Sequence, residues 1–285
     1  MKEHVFCIVK GHVPHFFKFM LIQKHNIYVP PLLINKCLQS WRDIVPDYTV
    51  KLWNIEMIRN LDYRYLKDAL KVGKYAFACD VVRAYALYTE GGIYMDSDVF
   101  LKRRFDEFIN HDFVTFIDTP ENGRYDKGQV DNEGNRKEGV KAVCGLGVDI
   151  TFMASVKGHP YMATVLDDYK MRRFIRDDGT LTMDELIGPD IYALHAESFG
   201  FKYKNQTQML SDDMVVYESK LYNSFNKKAF AVHCCAHSWA KMSFMDKCKT
   251  MTKKILSFVN LYKKDYRHLK YDVEINEIIG RCPRA

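Results

Sequence analysis

The stretch Gly91-Gly92-Ile93-Tyr94-Met95-Asp96-Ser97-Asp98-Val99-Phe100 limits the fold more than any other part of the chain. Two glycines stop whatever precedes them, a short apolar run then forms a buried strand, and two acids flank a single serine at its end. An acid-x-acid pair where a strand leaves a sheet puts carboxylate oxygens on newly accessible backbone. Open α/β sheets bind ligands there, beyond the carboxyl ends of their strands. Hard divalent cations take oxygen ligands and leave other positions to water and substrate phosphates. Asp96 and Asp98 are therefore candidate ligands for Mg²⁺ or Mn²⁺ at a diphosphate site. A bare triplet of this kind is commonly a solvated turn; the preceding helix stop and buried strand set this one apart.

Residues 4–9 form a compact apolar run, read as the first strand. Pro30-Pro31 starts a helix through Leu33, Cys37, Leu38 and Trp41, and Tyr48 to Trp53 reads as a second strand. Strand, helix, strand at the start of a chain predicts a parallel α/β sheet. Tyr65 to Glu90 has a helical pattern broken near Gly73. Within it Asp80 and Arg83 share a face with Ala84 and Leu87. A charged pair among small and apolar neighbours points to a role beyond a solvated ion pair.

Further strands are expected at Phe113 to Ile117, Val148 to Ala154 and Phe230 to His233. His159-Pro160 opens a helix to about Ile175. A second follows from about Met183 to Phe199, which Gly188-Pro189 must kink or split. The polar stretch Thr119 to Lys141 suits a flexible lid or binding loop.

With 285 residues, 47% of them hydrophobic, the chain has material for one domain with an appended subdomain or for two domains. A formal charge of +6 is too weak to indicate nucleic acid and suits an anionic substrate or surface. The eight cysteines form no C-x-x-C pair, which reads as reduced thiols of a cytoplasmic protein. No run of about 18 apolar residues is present, and Lys10, His12, Pro14 and Lys18 break up the N-terminal stretch, against a signal peptide. Residues 241–285 form a basic helical extension in which lysines interleave with Ile255, Leu256, Phe258 and Val259. It either docks on the core or lies on an anionic membrane surface.

Cys79-Asp80-Val81-Val82-Arg83-Ala84-Tyr85-Ala86-Leu87-Tyr88, followed by Glu90 to Asp98, closely resembles the DXD region of glycosyltransferase family 32. That family includes initiating α-1,6-mannosyltransferases and capsular-polysaccharide transferases. Weaker likenesses follow in order: Cys37 to Trp41 with Pro46 to Asn54, Lys157-Gly158-His159-Pro160, and His233 with Ser238-Trp239. The resemblance covers roughly residues 1–240 and implies a GT-A fold, a Rossmann-like central sheet flanked by helices with an added helical subdomain. It implies retaining transfer of a sugar from a nucleotide-sugar, a UDP-sugar in preference to a GDP-sugar, to a saccharide or lipid-linked acceptor. Carried over, Asp98 binds the metal directly and Asp96 contacts ribose, sugar or the metal through water. Asp80 and Arg83 hold donor-sugar hydroxyls, His233 completes the metal shell, and Ser238 with Trp239 closes over the diphosphate.

The chain departs from the family at Ile8, where a tryptophan is usual, and at Cys234-Cys235 and His237. Asp149 is the polar residue nearest the family's central asparagine. The residues themselves ask for the same parts, since a leaving diphosphate gains charge that a cation and an arginine fork stabilise. Two other readings stay open: a phosphatase with Asp96 as nucleophile, and a sugar-binding relative or membrane-bound scaffold without turnover.

Overall fold

A computed structural model describes residues 5–9, 32–53, 55–119, 127–184, 186–223 and 227–234. In chain order it contains β1 (Val5–Val9), α1 (Leu32–Ile44), β2 (Thr49–Trp53), α2 (Ile55–Ile58), α3 (Arg64–Lys71), α4 (Tyr75–Glu90), β3 (Gly92–Met95) and β4 (Val99–Leu101). β5 (Phe113–Asp118), β6 (Gly147–Val148), β7 (Phe152–Ser155), α5 (Pro160–Met171), α6 (Gly188–Glu197), β8 (Gln208–Met209), β9 (Met214–Tyr217) and β10 (Ala231–His233) follow.

The central sheet has the order β2-β1-β3-β7-β5-β9-β8, with β6 beside β5. It is mixed and mostly antiparallel, which corrects the expected parallel sheet: only β5 and β9 pair in parallel. The early strand, helix, strand order misled because β1 and β2 become antiparallel neighbours. A crossover helix alone does not fix strand direction.

Alternation along the central strands separates two cores. Tyr94, Met153, Phe113 and Ile117 face a core shared with α3, α4, α5 and α6. Ile93, Met95, Phe152, Ala154, Val114 and Phe116 face a second core with α1, β4 and β10. β4 leaves the main sheet to pair with β10, and Trp41 of α1 fastens it by donating its indole N–H to the Val99 carbonyl at 2.7 Å.

Three segments differ from their sequence patterns. The expected strand from Val148 to Ala154 is split, because Asp149, Ile150 and Thr151 bulge out between two registers with β5. Asp149 causes this: its Oδ1 accepts from Thr151 N, Thr151 Oγ1 and Phe152 N, an aspartate turn that competes with the ladder. The second late helix starts only at Gly188, since Pro189 lacks an N–H and fits the first turn alone. The described part of the 119–141 loop is anchored rather than free: Arg136 grips Glu197 through two bonds at 2.7 and 2.9 Å, and Val130 bridges Arg136. Residues 120–126 and the basic extension from 241 to 285 lie outside the described residues.

Gly91 sets the geometry of the α4-to-β3 junction. It has φ of 72°, and a Cβ there would stand 2.7 Å from Lys157 N and 3.1 Å from Ser155 O. Gly158 has φ of 78° but open space around it. Gly91→Ala is expected to cost about 2–4 kcal/mol, from left-handed backbone plus crowding, against about 1 kcal/mol for Gly158→Ala. Urea denaturation of both variants checks the difference, and equal losses would refute the steric part.

Candidate functional site

The site is built where β3 leaves the sheet. β3 carries alternate side chains to opposite faces, and after Met95 the chain turns through Asp96, Ser97 and Asp98 into β4. Val99 N donates to the Asp96 carbonyl at 3.0 Å and closes this turn. Asp96 N donates to the Thr151 carbonyl at 2.9 Å, so the bulge between β6 and β7 holds the turn from beneath. Strand pairing brings in a residue from far along the chain: His233 of β10 stands opposite Val99, and Cys234 N donates to the Asp98 carbonyl at 2.9 Å.

This places three ligand types together. His233 Nε2 lies 3.2 Å from Asp98 Oδ1 and 3.9 Å from Asp96 Oδ2. One ligand atom from each of Asp96, Asp98 and His233 falls within 4.8 Å of the others. Two carboxylates and an imidazole suit Mn²⁺ or Mg²⁺ completed by water and phosphate oxygens. The sequence-derived metal ligands thus converge, with Asp98 more buried than Asp96.

Arg83 and Asp80 reach the site from α4, both nearly sealed from solvent at 4% and 6% exposure. Arg83 Nη2 lies 3.2 Å from Asp80 Oδ1 and its Nη1 3.5 Å from Asp96 Oδ1. Nη1 also donates to the Ile150 carbonyl, and Nε donates to Cys79 O at 3.3 Å. The guanidinium stacks over the Tyr94 ring at 4.8 Å, while the Tyr94 hydroxyl donates to Asp96 Oδ1. One cation therefore ties α4, the acidic turn and the bulge together.

α6 covers Asp80 from the other side. A Cβ on Gly188 would fall 2.6 Å from the Asp80 Cγ, so only a glycine lets the helix start against that carboxylate. The start of a helix favours a negative charge beside it. Tyr192, one turn further, donates its hydroxyl to the Asp80 carbonyl at 2.7 Å.

Sequence reasoning missed Asp118, at the end of β5. It is half-buried, within electrostatic reach of Asp149, His233 and Asp190, and burial and then Asp149 push its carboxyl up to about 7. The signal was available, since Asp118 is also an acid at a strand exit. Asp149, singled out only by its nearness to a family position, is 4% exposed and forms the bulge. Burial raises its carboxyl as well. Ser238 and Trp239, expected to close over a diphosphate, lie outside the described residues, as do Cys235 and His237.

Residues 31–115 match the family model for the glycosyltransferase sugar-binding region containing a DXD motif. The matched segment is under half of the chain; it holds Asp80, Arg83, Asp96 and Asp98 but not Asp118, Asp149 or His233. The match supports a glycosyltransferase-type sugar-binding region. No curated protein sequence matches the chain. Among solved structures it is similar to one titled PaToxG Glycosyltransferase, at 20% identity and a TM-score of 0.31, covering 47% of this chain and 39% of that chain. A TM-score at that level carries no inference. Among the described residues no helix is long and apolar enough to cross a membrane, and Cys37, Cys79, Cys144 and Cys234 form no disulfide with one another.

Burial, offset only in part by Arg83, pushes the Asp80 carboxyl up from 3.8 to about 7. Between those values the folded chain holds a proton that the unfolded chain has released. The stabilisation from this proton is complete below about 4 and is lost as pH rises to about 7. Asp80→Asn removes that titration. The stability of wild type relative to the variant is expected to fall with rising pH across this window, by up to roughly 1.4 kcal/mol per unit. Urea midpoints at stepped pH measure it, and parallel curves would show that Asp80 does not titrate there.

Proposed function

We propose that the chain is a retaining, metal-dependent glycosyltransferase of GT-A architecture and family 32 type. It moves a hexose from a nucleotide-sugar, a UDP-sugar in preference to a GDP-sugar, to a saccharide acceptor in polysaccharide or glycan synthesis. The observation that carries this reading is the meeting of Asp96, Asp98 and His233 at one strand exit, inside or beside the matched DXD region.

Asp98, Asp96 and His233 would hold Mn²⁺ or Mg²⁺, which would supply positive charge to the departing diphosphate oxygens. Arg83 shares Asp96 with that position and keeps the acid turned toward it. Asp80 and the remaining Arg83 hydrogen-bonding capacity face the donor sugar. On this reading the acceptor hydroxyl attacks from the face the diphosphate leaves. The diphosphate takes its proton. A phosphatase reading needs Asp96 free for attack, but its Oδ1 is engaged by Tyr94 and Arg83. The acceptor is a lipid-linked saccharide at the cytoplasmic face of a membrane if the basic extension from 241 to 285 contacts anionic lipid. Ser238 and Trp239, which precede that extension in sequence, would close over the diphosphate.

The test is donor hydrolysis across a panel of UDP- and GDP-sugars, followed by mass spectrometry. EDTA is expected to abolish turnover and Mn²⁺ to restore it. Asp98→Ala is expected to lower kcat at least about 100-fold in saturating Mn²⁺. Undiminished turnover by that variant would remove the metal site from the mechanism.

A further inference from the structure

Sheet direction puts a second acid on the same edge as the DXD turn. β3 and β5 both pair antiparallel with β7, which lies between them, so they run the same way and end at one edge. β3 runs out into Asp96 and β5 ends on Asp118. Two strand spacings separate the two exits, roughly 10 Å.

The surroundings of Asp118 are those of a group kept available. Its carboxylate receives no hydrogen bond from the described residues, although it is half-buried. Asp118 pairs with Gly147 of β6, and a Cβ on Gly147 would touch the Ala193 Cβ at 3.5 Å. The first turns of α6, the same helix that covers Asp80, therefore pack against this end of the sheet. Next to it the Asp149 carboxylate accepts three hydrogen bonds on Oδ1 and fixes the bulge that carries the Ile150 and Thr151 carbonyls to Arg83 and Asp96. A half-buried carboxylate with no hydrogen-bond donor among the described residues, on a backbone fastened this firmly, has acceptor capacity left for a ligand.

We propose that Asp118 is the acceptor-side carboxylate of this site, accepting a hydrogen bond from an acceptor hydroxyl that neighbours the attacking one. The assignment rests on the glycosyltransferase reading above. In the transfer, the acceptor oxygen bonds to the anomeric carbon as the bond from that carbon to the diphosphate oxygen breaks. The electron pair of the broken bond stays on the diphosphate, and the acceptor proton passes to it. Asp118 orients the acceptor through that neighbouring hydroxyl and takes no part in the proton transfer. Asp149 is a positioning residue, acting through the bulge and the β5 edge.

The experiment compares wild type, Asp118→Asn, Asp118→Ser and Asp118→Glu as full-length chains. The donors are UDP-glucose, UDP-galactose, UDP-N-acetylglucosamine and GDP-mannose with Mn²⁺, and the acceptors are water and methyl glycosides. Asp118→Asn and Asp118→Ser are expected to lose about 100-fold in kcat for transfer from the active donor to the methyl glycosides. Donor KM and the Mn²⁺ dissociation constant, from calorimetry, should stay within about threefold, and Asp118→Glu should recover part of the rate. An unchanged kcat overturns the assignment alone. Parallel loss of Mn²⁺ binding also overturns it, by making Asp118 part of the metal shell. Wild-type protein that turns over none of the four donors overturns glycosyl transfer from them and the Asp118 assignment with it, whatever the variants do.

Discussion

The buried guanidinium of Arg83 is the interaction on which the site depends. An ion taken out of water costs several kcal/mol unless its surroundings replace the lost hydration. Here they do so from every side: Asp80 and Asp96 supply opposite charge, Cys79 and Ile150 supply carbonyls, and Tyr94 offers its ring face. Those partners belong to α4, to β3 with its exit turn, and to the bulge before β7. None of the three can shift without stranding a charge, so the position of Asp96 is inherited from the core rather than set by a surface loop. The same reasoning explains why a polar cluster can sit among Val82, Ala84 and Leu87, each of them fully buried, without loosening the fold.

A mostly antiparallel sheet achieves here what parallel sheets do through crossover loops. β3 ends, and instead of returning through a helix the chain runs straight on into β4, which peels away to meet β10. Peeling away exposes the Asp96–Asp98 turn, and the new partner strand arrives with His233 already in register opposite Val99. The imidazole is thus aimed by backbone hydrogen bonds, not by a flexible tail. Asn223 adds to this by accepting from His233 N at 3.0 Å.

What the sequence made legible follows from how local each signal is. The Gly91-Gly92 stop, the acid pair and the Asp80–Arg83 spacing are local patterns, and each one lies where the pattern implies. The break at Gly73 was legible for the same reason, with α3 ending at Lys71 and α4 starting at Tyr75. Strand direction was not, because Val5–Val9 carries no mark of whether its neighbour will run with or against it. The bulge was hidden too, since Val148 to Ala154 has the composition of one strand and only the Asp149 side chain interrupts it. Asp118 escaped because its importance comes from β5 sharing an edge with β3, a fact of topology that no window of sequence contains.

Charge decides what such a cleft can receive. Asp80, Asp96, Asp98, Asp118, Asp149 and Asp190 gather around one arginine and one histidine. Burial pushes the carboxyls of Asp80 and Asp118 up to about 7, and neighbouring carboxylates add to the effect. A free nucleoside diphosphate would meet repulsion from that field. On the proposed reading a cation held by Asp96, Asp98 and His233 would reverse its sign beside the diphosphate and leave the sugar end of the site acidic. Sugar hydroxyls donate well to carboxylates, so the acidic end suits a sugar as the cationic end suits the diphosphate. On the proposed reading the cleft is complementary to a metal-bound nucleotide-sugar as a whole, and to neither the nucleotide nor the sugar alone.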